Sequence, residues 1–196
     1  MGVTSKNLFV MDLETLALSP AGEVAGSGRV AFASAGGAAG RDGEGHLWHY
    51  DLKAKAPSRR ACRLPGGEWS RLIVWARDGK TGLLYTADAN GNLFSFDESK
   101  GFSAPLGRTK PAPVGPMAVT HDGRVFGFCG DGIAKMFCYV PGGDVADLGV
   151  AASVIERRRY GYVFGDAVTG RDGEIVFGEN DNGGHVWLYF PKIVRG

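Results

Sequence analysis

Large apolar residues recur along the chain in one short pattern: an apolar residue, an aromatic, any residue, then an aromatic or Met, closed in most copies by Asp or Pro. Copies stand at Leu8-Phe9-Val10-Met11-Asp12, Leu47-Trp48-His49-Tyr50-Asp51, Leu93-Phe94-Ser95-Phe96-Asp97, Met136-Phe137-Cys138-Tyr139 and Val186-Trp187-Leu188-Tyr189-Phe190-Pro191. Successive side chains of an extended strand point to opposite faces, so each copy reads as a strand. Residues 124–141 show the local unit, two apolar-rich runs flanking Gly130-Asp131-Gly132 and pairing as a hairpin around that turn. The copies begin at positions 8, 47, 93, 136 and 186, in steps of 39, 46, 43 and 50 residues. That period, with about four short strands in each step, predicts an all-β fold: a β-propeller of about four to five four-stranded antiparallel blades.

As a single propeller domain over residues 1–196, the chain divides into units of roughly 7–18, 24–65, 70–110, 114–150 and 160–191. Residues 151–159 are the one stretch with helical composition, enough for one or two turns. The last unit has three strands, because only residues 192–196 follow Pro191. Two arrangements satisfy this. The N-terminal strand completes the last blade and closes a small ring, removing the exposed sheet edges. Alternatively, since residues 7–12 match the third strand of a blade rather than the fourth, the chain forms a partial ring or a piece of a larger propeller.

Glycine is the compositional outlier at 32 residues, and at that density among aromatic and β-branched residues it marks many tight turns. The balance of 22 basic against 21 acidic residues leaves a net charge of +1. Such a chain carries no field that draws nucleic acid or an anionic membrane. No apolar run reaches the roughly 18 residues of a membrane span, and the start has no hydrophobic signal region, so the compartment stays open. Cys129 and Cys138 fall on the two arms of one hairpin, where a cross-strand disulfide and two buried thiols are both open readings. Cys62 is the odd one out.

Two segments carry the repeat in its fullest form. They are Thr120-His121-Asp122-Gly123-Arg124-Val125-Phe126-Gly127 and Arg171-Asp172-Gly173-Glu174-Ile175-Val176-Phe177-Gly178. Each leads to a strand ending Tyr139-Val140-Pro141 or Tyr189-Phe190-Pro191, with Leu106-Gly107 and Leu148-Gly149 at blade ends. Over residues 70–191 this cycle resembles the kelch-, NHL- and quinoprotein-type propellers, while the double Gly-Lys of kelch and the Trp-Asp of the WD repeats are both absent, which argues against membership of those two families. The resemblance implies architecture. Propellers of these kinds include polysaccharide lyases, lactonases and binding scaffolds, so it does not choose a function.

The residue before each Asp-Gly turn is Arg77, His121 and Arg171 in three successive units. Equivalent positions of a propeller share one face, so these three would form a rim suited to a carboxylate or sulfate, Arg contributing bidentate contacts. Solvated turn residues fit the same positions. His185 and Trp187 alternate on the last pattern strand and would present a sugar-stacking face or pack between blades. Tyr160 follows a run of Arg, and His121 with Tyr160 would supply the acid/base pair of an elimination at a uronate. The loop Glu179-Asn180-Asp181-Asn182-Gly183-Gly184-His185 has oxygen ligands without the spacing of a calcium loop. No metal and no cofactor is expected, since the phosphate, dinucleotide and zinc-protease motifs are all missing. The two functional expectations are a non-catalytic propeller binding a carbohydrate or protein on one face, and a polysaccharide lyase-type enzyme acting on uronate-containing sugars. The partners expected are an anionic carbohydrate, a protein, or a second copy paired through an open sheet edge.

Overall fold

The computed structural model of the chain describes residues 2–3, 7–23, 31–32, 37–41, 46–51, 54–66, 68–69, 74–151, 153–154, 159–160, 164–180 and 184–192. Among these residues all regular structure is strand. The first sheet pairs β1 (Gly2–Val3), β2 (Asn7–Met11) and β3 (Leu18–Glu23) in that order. The second runs β4 (Ala31–Phe32), β5 (Gly37–Arg41), β6 (His46–Asp51), β7 (Ala56–Arg63). The third runs β8 (Ala76–Arg77), β9 (Leu84–Ala87), β10 (Asn92–Asp97), β11 (Gly101–Phe102), with β12 (Gly107–Arg108) also on β10. The fourth is β13 (Val114–Val119), β14 (Val125–Cys129), β15 (Lys135–Tyr139), β16 (Val145–Val150). A short hairpin, β17 (Ser153–Val154) with β18 (Arg159–Tyr160), leads to the last sheet: β19 (Phe164–Thr169), β20 (Ile175–Glu179), β21 (Val186–Tyr189).

Every described ladder is antiparallel, and all but β10–β12 join neighbours in sequence, as tight Gly/Asp turns require. The first strands lie side by side, β8 against β4 and β13, and β13 against β19, while the outer strands β3, β7 and β11 also touch in turn. The sheets therefore fan around an axis lined by first strands. This is an all-β propeller arc of five sheets.

The core lies between sheets. Val125 and Cys129 of β14 face a cluster shared with the third sheet, holding Tyr85, Leu93, Phe137 and Tyr139. Phe126 and Phe128 face the other way, into a cluster with Phe164, Ile175 and Phe177 of the last sheet. A strand covered on both sides is apolar at every position, which is why residues 125–129 read as one run and are all buried. Phe128, Phe164 and Phe177 form an aromatic triad with ring centroids 4.6 to 4.9 Å apart.

The structure decides between the readings left open in three places. The N-terminal strand β2 does not complete the last sheet: it is flanked by β1 and β3, and among the described strands no ladder joins the first sheet to the last. Its third-strand character decided this. The stretch 151–159 does not form a described helix; Ser153 and Val154 pair with Tyr160 and Arg159 as extended chain. Cys129 and Cys138 are free and buried, because the hairpin register sets Cys129 opposite Lys135 and Cys138 opposite Phe126. Burial pushes the Cys129 thiol up to about 11.

Candidate functional site

In each of the last three sheets the link from first to second strand is an Asp-Gly turn. The turn at residues 120–124 closes with Thr120 N donating to Arg124 O at 2.9 Å and Gly123 N to Thr120 O at 2.8 Å. The turn at 170–174 repeats it, Gly170 N to Glu174 O at 2.7 Å and Gly173 N to Gly170 O at 3.3 Å. Gly123 and Gly173 sit at φ of 86° and 89°, the left-handed region that a side chain would strain. In the third sheet Asp78 holds the turn itself, accepting from Lys80 N at 2.8 Å and Thr81 Oγ1 at 2.6 Å. Burial raises the Asp78 carboxyl, but these hydrogen bonds outweigh it and the net shift is downward.

Because first strands neighbour one another around the axis, the three turns converge. They line one cleft of about 210 Å³ built from Lys80, Thr120, His121, Asp122, Arg124, Asp172, Gly173 and Pro191. His121 Nε2 lies 3.2 Å from Gly170 O and 3.1 Å from Arg171 O, latching the fourth sheet's turn to the fifth's. Both partners are carbonyls, so Nε2 is the donor in this latch. Thr169 Oγ1 adds a second cross-sheet bond to Val119 O at 2.8 Å.

Arg124 closes the cleft's base. Its Nε donates to Asp122 Oδ2 at 2.9 Å, its Nη2 to Lys192 O at 2.8 Å, and its guanidinium lies 5.2 Å over the Phe126 ring. That guanidinium, helped by the Thr120 hydroxyl, holds the Asp122 carboxyl at about 2, below the ordinary 3.8. A carboxyl depressed in the folded state stabilises above its unfolded value and stops doing so as pH falls through its folded one. The wild-type chain should therefore lose about 1 kcal/mol of stability between pH 4 and pH 2 through this group, after screening of a partly exposed pair. Chemical denaturation at both values checks this, with Asp122→Asn expected to remove that part of the pH dependence.

A second polar cluster lies at the other end of the last sheet. The buried Glu179 carboxylate, at the end of β20, accepts from His185 Nδ1 at 2.8 Å and Trp187 Nε1 at 3.4 Å. The His185 side chain is 61% exposed and that of Glu179 only 2%. Trp187 packs against the interior cluster, with His185 tilted beside it at 6.0 Å between ring centroids.

Of the residues singled out in the sequence, His121 lines the cleft. Arg171 meets it through its backbone carbonyl, its exposed side chain not being among the lining groups. Arg77 is exposed on β8 and also outside the lining. His185 and Trp187 are brought together, joined by Glu179, away from the turns. The Tyr160 side chain and residues 181–183 lie outside the described residues. Sequence reading missed Lys80, Arg124 and Asp172. Lys80 and Arg124 stand two positions after their turn Asp, and Asp172 is itself a turn Asp, so the repeat marked all three positions.

No protein-family model and no curated protein sequence matches this chain. Solved structures do. Virginiamycin B lyase from Staphylococcus aureus superposes with a TM-score of 0.63 at 10% identity, covering 97% of this chain and 64% of that one. A Bacteroides thetaiotaomicron protein of unknown function gives 0.63 at 14% identity, covering 88% of this chain and 47% of that one. The extracellular domain of a one-component system from B. thetaiotaomicron gives 0.63 at 10% identity, covering 94% of this chain and 25% of that one. The likeness is one of fold. The chain spans about half to two-thirds of the length of the lyases it matches, streptogramin B lyase being covered to 53%.

Proposed function

We propose that the chain is a ligand-binding propeller segment that takes an acidic carbohydrate in the cleft between its Asp-Gly turns. The observation that carries this is the convergence of three turns from successive sheets on one small hollow, whose wall is mostly apolar with a few polar groups at it. Asp122 is neutralised by Arg124, leaving Lys80 as the cation for a sugar carboxylate. Asp172 is an acceptor for ring hydroxyls, and Pro191 gives an apolar wall for a ring face. Ligand pockets for drug-sized molecules run to roughly 300–1,000 Å³, so a hollow of about 210 Å³ suits a single sugar ring with its neighbours outside.

Calorimetric titration with oligogalacturonate against a neutral oligosaccharide tests the reading. Lys80→Ala should weaken uronate binding by about tenfold or more, the scale of one charge-assisted hydrogen bond. Arg77→Ala should leave it unchanged. Absence of binding to any uronate or sulfated sugar overturns the proposal.

A second reading, elimination at the bound uronate, is favoured by His121 in the cleft lining and by a fold shared with virginiamycin B lyase. His121 Nδ1 would take the C5 proton while Lys80 neutralises the carboxylate. The C4–O bond then breaks, its electron pair and a solvent proton leaving with the departing sugar. Appearance of the ultraviolet band of the unsaturated product, lost in His121→Ala, selects this reading over simple binding. Of the fold neighbours, one is a catalytically inactive histidine-to-alanine virginiamycin B lyase solved with quinupristin.

A further inference from the structure

The fourth and last sheets share one register, offset by fifty positions: Val125 opposes Tyr139 where Ile175 opposes Tyr189. Their Asp-Gly turns can therefore be compared residue by residue, Asp122 with Asp172, Thr120 with Gly170 and Arg124 with Glu174. At the fourth sheet the Asp122 carboxylate is filled from both sides. Thr120 Oγ1 donates to it, and Arg124 reaches it through Nε at 2.9 Å and Nη2 at 2.7 Å. At the last sheet both donors are gone. Gly170 has no side chain, and the Glu174 carboxylate accepts from Asp172 N at 3.0 Å, so a second negative charge stands where the fourth sheet has a cation.

The third sheet shows the converse loss. Lys80 stands two positions after its turn Asp, as Arg124 does, but it gives Asp78 only its backbone N–H, and Thr81 Oγ1 takes up the other carboxylate oxygen. The ammonium acts on Asp78 only through space. Lys80 and Asp172 are both exposed and line the same hollow. Among the described residues neither charged group has a hydrogen-bond or ion-pair partner, and they do not pair with each other. A cation and an anion thus face one hollow from the sheets on either side of a turn whose own pair is quenched.

We infer that the cleft takes an acidic carbohydrate that also bears a free amine, a uronate beside an unacetylated hexosamine, with Lys80 on the carboxylate and Asp172 on the ammonium. The assignment rests on the cleft being an acidic-sugar site, and names the class of sugar. A polyuronate would bring like charge to the Asp172 and Glu174 carboxylates, which costs affinity. An ammonium at the same place turns Asp172 into a charge-assisted acceptor. The order of the turns sets the order of the groups: carboxylate toward the third sheet, ammonium toward the last, sugar ring along the mostly apolar wall between them. Acetylation of the amine removes its charge, so Asp172 is the residue that tells the two forms apart.

Calorimetric titration of the full chain with a uronate–glucosamine tetrasaccharide, its amines either free or acetylated, tests this. The free-amine form should bind about tenfold tighter than the acetylated one, the scale of one charge-assisted hydrogen bond. Asp172→Asn should bring the two forms level, and Asp172→Glu, which keeps the charge, should restore a preference. Lys80→Ala should weaken both forms and leave their ratio as it was, because it removes the partner of the carboxylate alone. Equal affinity of wild type for the two forms, or a ratio that survives Asp172→Asn, overturns the proposal while the acidic-sugar reading stands. Failure of oligogalacturonate and of both tetrasaccharides to bind overturns the two together.

Discussion

Phe128→Ala is expected to lower the stability of the chain by about 3–5 kcal/mol, the range for truncating a fully buried Phe. Phe128 is 1% exposed and its ring meets Phe164 and Phe177 at 4.6 Å each, so it is a fully buried ring that the fourth sheet sets against the last. The effect should also be local. The last sheet is covered on one face only, and losing that face's central ring leaves little to hold it. Hydrogen exchange should show β20 amides opening well before β10 amides in the variant. Equal loss of protection in both strands would mean that the sheets melt as one unit and that the junction is not separately held.

Gly127→Val should cost about 2–3 kcal/mol by the opposite route, overpacking. A Cβ at Gly127 would stand 2.7 Å from Met117 Cγ and 2.7 Å from Phe137 Cζ, in the cluster between the third and fourth sheets. Gly127 lies directly opposite Phe137 across the ladder, and the ring occupies the space a side chain would need. Gly178 is the natural comparison, a strand glycine of the next sheet with nothing within 4 Å of its Cβ position. Gly178→Val should change stability by less than about 0.5 kcal/mol, as surface substitutions do. Urea midpoints for the two variants make the comparison, and similar losses in both would contradict the packing described.

The architecture was legible because blade packing imposes period and chemistry together. An inner pattern strand such as β15 alternates between two neighbouring sheets, so its apolar positions had to recur, and the turns between drew Gly and Asp. The open arc was legible in one detail, the third-strand character of residues 7–12. The hairpin after the fourth sheet was not, since Ala, Arg and Glu there favour helix locally and only pairing with a neighbour makes them extended. The cleft was half legible. Convergence of the Asp-Gly turns follows from the repeat, and His121 was placed there by it. Which side chains turn inward depends on the turn's own hydrogen bonds, and these fold Arg124 onto Asp122 while leaving Arg77 outside. Glu179 was hidden for another reason: a buried carboxylate at a strand end has meaning only once His185 and Trp187 are seen beside it.

The central claim is that turns from three separate sheets form one binding site. Amide chemical shifts of the labelled chain during oligogalacturonate titration test it most directly. Lys80, His121 and Gly173 should move together on a single isotherm while Arg77 and His185 stay fixed. Shifts confined to one turn, or centred on His185 and Trp187 at the far end of the last sheet, would contradict it.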